Sequence, residues 1–274
     1  MWNKFRKFLG YKFPRLGRLL SQVLINLIKS PIDVELFPNI KVDMNLKDLT
    51  QQATFWQGDR FEYPTAKVFK EYAGNCKLFF DIGSNYGFYS YLMHSYFEHL
   101  KCFAFEPNPN TFAKIEKIIE YNNLDRMKCF QIGLGDKNYM LDLHPGIEDS
   151  GHSTFLEHPE FKMKTVGEEV QIKPFDEWRI DHAIGIPIKP AWIAKIDVEG
   201  FELNVLKGME ESLRSKAFII LSVEILAHTL LLNNNKPEDI YNYLAKFNYK
   251  PLSKEYFKKE YGHVNTENVF FVPS

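Results

Sequence analysis

The chain has 274 residues, of which 45% are hydrophobic and 25% are charged, a composition that excludes disordered and fibrous proteins. Its formal net charge is −1, so no overall field favours nucleic acid, and we expect no nucleic-acid partner. The three cysteines do not have metal-site spacing, and their odd number is typical of reduced thiols in a cytoplasmic protein. The length suggests one large domain, alone or with a substantial extension.

The first 30 residues are basic and carry no acid before Asp33. Their apolar run, residues 19–28, is interrupted by polar side chains and is shorter than the ~20 residues that span a bilayer. No small-residue cleavage site follows it. We interpret residues 1–50 as a basic helical extension packed on the domain. Peripheral contact of residues 1–30 with an anionic membrane is the alternative.

From residue 78 onward, short apolar runs alternate with amphipathic segments. The predicted strands are 78–82, 101–106, 127–132, 192–199, 217–225 and 268–273, and the predicted helices are 86–97, 111–123, 201–214 and 237–247. This alternation is typical of a parallel sheet covered on both faces, so the fold class is a doubly wound α/β domain. Such sheets bind ligands beyond the carboxyl ends of their strands.

Residues 133–190 interrupt the alternation. The sequence predicts a hairpin at 139–146, a polar loop, another strand at 168–174 and a short helix at 175–179. Because lids and substrate loops commonly occupy such insertions, we expect this excursion to lie over the ligand edge of the sheet.

The sequence DIGSNYG, residues 81–87, ends the first strand of this alternation on a carboxylate and continues in small residues. Glycines at 83 and 87 allow the backbone to approach a ligand closely. A dinucleotide-binding loop would read G-x-G-x-x-G, and Asp81 would repel the pyrophosphate that such a loop holds. S-adenosylmethionine suits this loop better, because its methionine end carries an ammonium group and a carboxylate. A structural turn that binds nothing is the alternative.

Glu106 ends the second strand, about 20 residues after the glycines, where an acid in nucleotide-binding α/β domains accepts hydrogen bonds from ribose hydroxyls. Adenosine ligands of several kinds share this contact, so Glu106 does not choose among them. A helix-capping or surface role is the alternative for this residue.

Four blocks in this order resemble the FkbM family of S-adenosylmethionine-dependent methyltransferases. They are DIGSNYGFYS, FAFEPNPNTFAKIEKIIEYNNL, IAKIDVEGFELNVLKGMEESL and IILSVEI, within a stretch that runs from about residue 78 to the end. The segment GDRFEYP, residues 58–64, also resembles the one that this family places before its first strand.

The resemblance implies a class I methyltransferase (Rossmann-like) domain over residues 51–274. Its doubly wound, mostly parallel sheet would have seven strands with an antiparallel last strand. The implied activity is O-methylation of a hydroxyl on a sugar, glycan precursor or secondary metabolite, with a small-molecule or glycan partner.

The resemblance also assigns cofactor-binding positions. Asp81, Gly83, Ser84, Asn85 and Gly87 would hold the methionine end, Glu106 with Pro107 and Asn108 the ribose, and Gly133 to Asp136 would lie near adenine, while Glu62 belongs to the segment before the first strand. Ser84 stands where the family usually has alanine.

A second acidic cluster, KIDVEGFE at residues 195–202, follows the fourth strand. Glu202 lies in the first turn of a predicted helix, where the helix dipole favours an acid, so we assign it a structural role. Four residues are candidates for taking the proton of the methyl acceptor: Asp197, Glu199, Glu224 and His152. Asp197 has the best position for catalysis or substrate alignment, and helix-entry structure is its alternative role.

Magnesium is a further alternative at this edge. Asp197 and Glu224 end neighbouring strands, as do acids that hold Mg²⁺ in catechol-type methyltransferases, and carboxylate oxygens suit this ion. Two acids make an incomplete ligand set, and no other sequence feature completes it. We therefore assign no metal ligands.

Two other functions stay open. An NAD-dependent oxidoreductase predicts a third glycine on the loop, which is absent. A non-catalytic module that binds an adenosine ligand or a partner predicts loss of acids at the cofactor edge, yet Asp81, Glu106 and Asp197 are present.

Overall fold

The computed structural model describes residues 31–144, 155, 167–253 and 267–274. Residues 1–30, with the predicted basic segment, and His152 on the polar loop lie outside this description. None of the helices in the described ranges is long and apolar enough to cross a bilayer.

The described elements alternate along the chain much as the sequence predicts. The strands are β1 (Ile32–Phe37), β2 (Ile40–Met44), β3 (Leu78–Ile82), β4 (Lys101–Phe105), β5 (Met127–Phe130), β6 (Gly133–Leu134), β7 (Tyr139–Leu143), β8 (Glu168–Lys173), β9 (Trp192–Ile196), β10 (Phe218–Glu224), β11 (Tyr249–Pro251) and β12 (Asn268–Pro273). The helices are α1 (Leu49–Gln57), α2 (Tyr63–Ala73), α3 (Phe88–Tyr96), α4 (Pro109–Tyr121), α5 (Phe175–Asp181), α6 (Glu202–Lys207), α7 (Glu210–Arg214), α8 (Ala227–Leu232) and α9 (Pro237–Lys246).

The main sheet has seven strands in the order β11-β12-β10-β9-β3-β4-β5. Strands β10, β9, β3, β4 and β5 are parallel, and β12 runs antiparallel to both β10 and β11. The predicted class I methyltransferase sheet with its antiparallel last strand is therefore confirmed. Strands β4 and β5 follow on one side of β3, and β9 and β10 lie on its other side. The turns after β3 and β9 therefore lie side by side at the carboxyl edge of the sheet.

Both faces of the sheet are covered. Successive side chains of a strand point to opposite faces, so neighbouring residues belong to different apolar cores. Phe79 and Ile193 belong to the face that packs against α2, α3, α4 and the β1–β2 hairpin. Phe80 and Trp192 belong to the other face, which α5, α6, α7 and α9 cover. Asp81 and Lys195 are register partners on β3 and β9 and share the face of Phe79 and Ile193.

The predicted helical extension over residues 1–50 is wrong for residues 32–44. These residues form an antiparallel hairpin in which Ile32 lies opposite Met44. The segment alternates buried Val34 and Leu36 with more exposed acids, a period of two that suits a strand. Asn39 supplies the left-handed residue of the turn, with φ 62°.

The excursion forms a separate three-stranded sheet in the order β6-β8-β7. The predicted hairpin at 139–146 is wrong in its described part, because residues 139–143 form β7 alone and pair with the distant strand β8. Leu141 lies opposite Val170 there, so pairing unites two apolar stretches. Ile172 belongs to one apolar cluster with Phe201, the residue before α6, so the described part of the excursion packs near the turn after β9. Its predicted position over the ligand edge stays a prediction.

The single helix predicted over residues 201–214 is instead two short helices, α6 and α7, separated at Gly208. A Cβ at this glycine would lie 1.9 Å from the carbonyl oxygen of Gly135. The chain therefore breaks where it presses against the backbone of the excursion, and only a residue without a side chain fits.

We expect Gly208→Ala to lower the free energy of unfolding by about 1–3 kcal/mol, because the Gly135 backbone must move to admit the methyl group. Urea unfolding followed by circular dichroism measures this change. Gly74→Ala is the matched control, since a Cβ there meets nothing within 4 Å. It should be neutral or stabilise the fold by up to about 1 kcal/mol. Equal effects of the two substitutions would contradict the packing of the excursion on α6.

Candidate active site

The turns at the carboxyl edge surround a cavity of about 240 Å³. Seven of the predicted site residues line it: Glu62, Gly83, Ser84, Asn85, Asp197, Glu199 and Glu224. Phe61, Phe88 and Tyr89 contribute aromatic walls. The topology thus brings the glycine loop, the acids after β9 and the end of β10 to one place, as the parallel sheet requires.

The glycines of the loop are needed for contacts within the protein. Gly83 has φ 75°, and a Cβ there would lie 1.8 Å from the carbonyl oxygen of Asp197. Gly87 has φ 86°, and a Cβ there would lie 2.8 Å from the ring of Tyr91. Two reasons therefore favour glycine at both positions: the left-handed backbone and the lack of space for a Cβ. The loop is thereby pressed against the end of β9.

Asp81 is buried, with 1% of its surface exposed. Its Oδ2 accepts hydrogen bonds from the backbone N–H of Ser90, at 3.0 Å, and from the Ser90 hydroxyl, at 2.7 Å. Burial raises the pKa of Asp81 to about 6, although Lys195 acts in the opposite direction. The carboxylate therefore joins β3 to the first turn of α3 and leaves Oδ1 for another contact.

Glu106 connects the loop to the end of β4. Its Oε2 accepts from the backbone N–H of Asn85 at 2.8 Å, and its Oε1 accepts from that of Asn108 at 2.9 Å. Burial raises the pKa of this carboxyl to about 8. Asn108 itself caps α4, because its Oδ1 accepts from the N–H groups of Asn110 and Thr111. Pro107 lies between the two.

Several buried polar atoms at this edge have no hydrogen-bond partner among the described residues. They are Oδ1 of Asp81, Oγ of Ser84, Oδ1 of Asn85 and Oε2 of Glu224. An unsatisfied buried polar atom costs about 1–3 kcal/mol. Three of the four residues, Ser84, Asn85 and Glu224, line the cavity, so their unpartnered oxygens are available to a polar ligand.

Lys195 is a site residue that the sequence patterns did not reveal. It lies 5% exposed within the apolar strand β9, and its Nζ donates to Oδ2 of Asp197 at 2.7 Å. Burial acts to lower the pKa of Lys195, but Asp197, Asp81 and Glu62 outweigh it and raise the pKa. The signal was available, because a lysine two residues before Asp197 in a strand shares its face.

Three carboxylates of the cavity lining lie close together. One oxygen each from Asp197, Glu199 and Glu224 lies within 4.8 Å of the others. Burial, followed by repulsion from Asp197 and Glu199, raises the pKa of Glu224 well above its usual range. Glu199 has a left-handed backbone, φ 51°, which turns it into this cluster. Sequence reasoning paired Asp197 with Glu224 alone, and the structure adds Glu199 as a third oxygen donor.

Two further acids complete the surroundings of the cavity. Glu62 accepts a short hydrogen bond from the hydroxyl of Tyr89, and burial raises its pKa. Oε1 of Glu202 accepts from the N–H groups of Val198 and Gly200, both at 3.1 Å. Glu202 thus ties the turn after β9 to α6, in agreement with the structural role assigned to it.

The residues assigned to adenine lie apart from the cavity lining. Gly133 belongs to β6, where a Cβ would meet Ile172 and Phe155. Asp136 accepts from the Tyr139 hydroxyl at 3.4 Å. Their role stays a prediction.

Comparison with known proteins supports a family assignment. The curated protein Methyltransferase 1 of Beauveria bassiana is 30% identical over 48% of this chain and 57% of its own length. Hexuronic acid methyltransferase AglP of Haloferax volcanii is 31% identical over 60% of this chain and 63% of its own length. 2-O-methyltransferase NoeI of Sinorhizobium fredii is 26% identical over 43% of this chain and 51% of its own length. The chain thus spans about half to under two thirds of these relatives.

Among solved structures, the chain is similar to precorrin-6y C5,15-methyltransferase from Geobacter metallireducens. It is 11% identical, with a TM-score of 0.42 over 86% of this chain and 97% of that chain. The family model described as "Methyltransferase FkbM domain" matches residues 81–251, from the carboxylate of the glycine loop to the end of β11. The chain belongs to the FkbM methyltransferase family.

Proposed function

We propose that the protein transfers a methyl group from S-adenosylmethionine to a hydroxyl oxygen of a sugar or related metabolite. The observation that carries this proposal is the charge of the cavity. Four carboxylates, from Glu62, Asp197, Glu199 and Glu224, line it together with one ammonium group, from Lys195. Full ionisation would give the lining a charge of −3, which favours a cationic ligand and opposes a pyrophosphate.

S-adenosylmethionine fits this surface because it carries a sulfonium and an ammonium group. The unpartnered oxygens of Asp81, Ser84 and Asn85 lie on the loop assigned to its methionine end. Each carboxylate oxygen of Glu106 accepts one backbone hydrogen bond and keeps a lone pair that can accept another from a ribose hydroxyl. When bound, the cofactor supplies an electrophilic methyl group on a positively charged sulfur.

Removal of the acceptor's proton falls to the cluster after β9 and β10. Glu224 is our choice for the proton acceptor, because its Oε2 has no hydrogen-bond partner among the described residues and its raised pKa makes its carboxylate a stronger base than a free one. Asp197 is fixed by the ion pair with Lys195, which suits it for aligning the acceptor hydroxyl. Lys195 thus holds the carboxylate of Asp197 in place, and the neighbouring Glu224 accepts the proton.

The relatives support the proposed class of acceptor. Two of them are named for methylation of a hexuronic acid and for 2-O-methylation. The second name specifies an oxygen at position 2 as the acceptor, which agrees with a cluster that takes the proton of a hydroxyl, whereas the first name gives the sugar class and not the oxygen. A uronic acid or other sugar is therefore the first class of acceptor to test.

Calorimetric titration tests the cofactor first. S-adenosylmethionine and S-adenosylhomocysteine should bind with micromolar affinity, while NAD should give no heat. Release of S-adenosylhomocysteine is then measured with free and nucleotide-linked sugars and uronic acids. Binding of NAD alone would overturn the proposal, and cofactor binding without turnover on any acceptor would favour a non-catalytic module. Adding EDTA should leave turnover unchanged, whereas loss that Mg²⁺ restores would assign the three carboxylates to a metal ion.

Glu224→Gln should lower kcat by about 10²–10⁴-fold while the dissociation constant of S-adenosylhomocysteine changes little. The amide keeps the size of the side chain but takes no proton. Single-turnover assays with the acceptor found above measure this change. Glu120→Gln, on the exposed face of α4, is the matched control and should leave kcat unchanged. Full activity of Glu224→Gln would remove this residue from proton transfer.

Cofactor affinity should increase with pH. Burial raises the pKa of Glu62, Asp81 and Glu224, that of Asp81 to about 6, so these acids stay protonated to higher pH than free carboxyls, and a cation favours their ionised forms. Each proton released changes the dissociation constant by up to about tenfold per pH unit below the pKa. Calorimetry in buffers of different ionisation enthalpy counts these protons. S-adenosylhomocysteine, which lacks the sulfonium charge, should release fewer, and equal release would contradict the electrostatic role of the cluster.

A further inference from the structure

A second and larger cleft, of about 570 Å³, lies at the amino edge of the main sheet. It is lined by the first residues of β3, β4, β5 and β9 and by the connection between α5 and β9. The cofactor cavity lies at the other end of these strands. Since β3 has five residues and a strand rises about 3.3 Å per residue, the two sites are separated by about 16 Å of sheet.

The floor of the amino-edge cleft is apolar. Leu78, Phe103, Phe130 and Trp192 line it and belong to, or pack on, the core cluster of that face. Leu78 lies in register with Trp192, so these side chains share one face of the sheet. An apolar floor of this kind favours a ligand with a hydrocarbon or aromatic body.

The rim of the same cleft is basic. Lys77, Lys101 and Lys128 line it, all three exposed, and none forms an ion pair with a carboxylate of the described residues. Arg126 also lines the cleft, but its guanidinium donates to the backbone carbonyls of Phe97, at 2.7 Å, and of His94, at 3.0 Å, so we do not count it as a free cation of the rim. The rim therefore carries three cationic groups without a counterpart in the described part of the chain.

The acid among the described lining residues does little to offset this charge. Asp125 lines the cleft too, but its carboxylate lies 3.8 Å from the guanidinium of Arg126 and 3.9 Å from the ring of His94. One acid is thus paired with one arginine. Within the described ranges, the three lysines therefore have no carboxylate partner around the apolar floor.

We propose that the amino-edge cleft binds a small amphiphilic anion, with a hydrocarbon or aromatic body on the floor and a carboxylate or phosphate among the lysines. The volume falls within the ~300–1,000 Å³ of small-molecule sites. Because the cleft is separate from the methyl-transfer cavity, this ligand is distinct from the cofactor. The proposal rests on the cleft alone and stands whether or not the protein is a methyltransferase.

Calorimetry on the full chain with laurate below its micelle concentration tests the proposal. Laurate should bind with or without saturating S-adenosylhomocysteine. Dodecylammonium has the same body with the opposite charge, and inorganic phosphate has the charge without the body, so both should bind at least tenfold more weakly. Equal binding of laurate and dodecylammonium would overturn the ionic part of the proposal. Competition by S-adenosylhomocysteine would place laurate in the other cavity and overturn it altogether.

Lys128→Gln and Gly185→Trp test whether laurate binds in this cleft. Lys77 and Lys101 also border a smaller neighbouring cleft of about 470 Å³, whereas Lys128 borders only the large one. Lys128→Gln should therefore weaken laurate about 2–10-fold, the effect of one partly solvated charge. Lys117→Gln, an exposed change on α4, is the control.

Gly185→Trp tests the floor independently of charge. A Cβ at Gly185 meets nothing within 4 Å and the residue lines the cleft, so an indole there should fill it and weaken laurate more than tenfold. Ile188→Trp is the matched control, because Ile188 is fully exposed on the same connection and does not line the cleft. Binding of S-adenosylhomocysteine should be unchanged in both. Unchanged laurate affinity in Gly185→Trp would overturn the assignment of this cleft.

Discussion

The carboxyl edge of the sheet depends on one buried ammonium group. Lys195 lies beside Asp81 in register and donates to Asp197, so its ammonium group sits between two carboxylates, and it opposes the effect of burial, which raises the pKa of Asp81. A buried charge is tolerated only when paired and hydrogen-bonded, and here the partners come from two neighbouring strands. The same pairing fixes the orientation of Asp197, which faces Glu199 and Glu224. Without Lys195, the acids of this edge would have no cation among the cavity residues to offset their repulsion.

Close packing of the backbone fixes the short distances between these charged side chains. Gly83 brings the loop after β3 into contact with the carbonyl of Asp197, and the loop is anchored on its other side by hydrogen bonds from Gly83 and Ser84 to the carbonyl of Phe105. Three adjacent strands are thereby joined through one turn. Glycine at this position therefore serves the geometry of the site as much as access of a ligand, because it sets how closely the acids of β9 approach the loop.

The sequence predicted those features that depend on local pattern. Alternating apolar runs located β3, β4, β5, β9, β10 and β12, and the carboxylates at their ends fell where a parallel sheet gathers them. It failed where distant contacts decide the structure. The break at Gly208 comes from the backbone of Gly135, and β7 pairs with a strand far along the chain. The spacing of Lys195 to Asp197 was visible in the sequence, but its second partner, Asp81, is set by the register of β3 with β9, which the sequence does not show.

The formal charge of −1 conceals a strong separation of charge across the sheet. Acids crowd the carboxyl edge, where Glu62, Asp197, Glu199 and Glu224 face one cavity. Lysines crowd the amino edge, where they surround an apolar cleft. Parallel strands make this possible, because every strand begins at one edge and ends at the other, so residues before and after the strands collect into two separate surfaces. A cation-binding site and an anion-binding site can then occupy the same sheet without competing, since the apolar core between them separates the two.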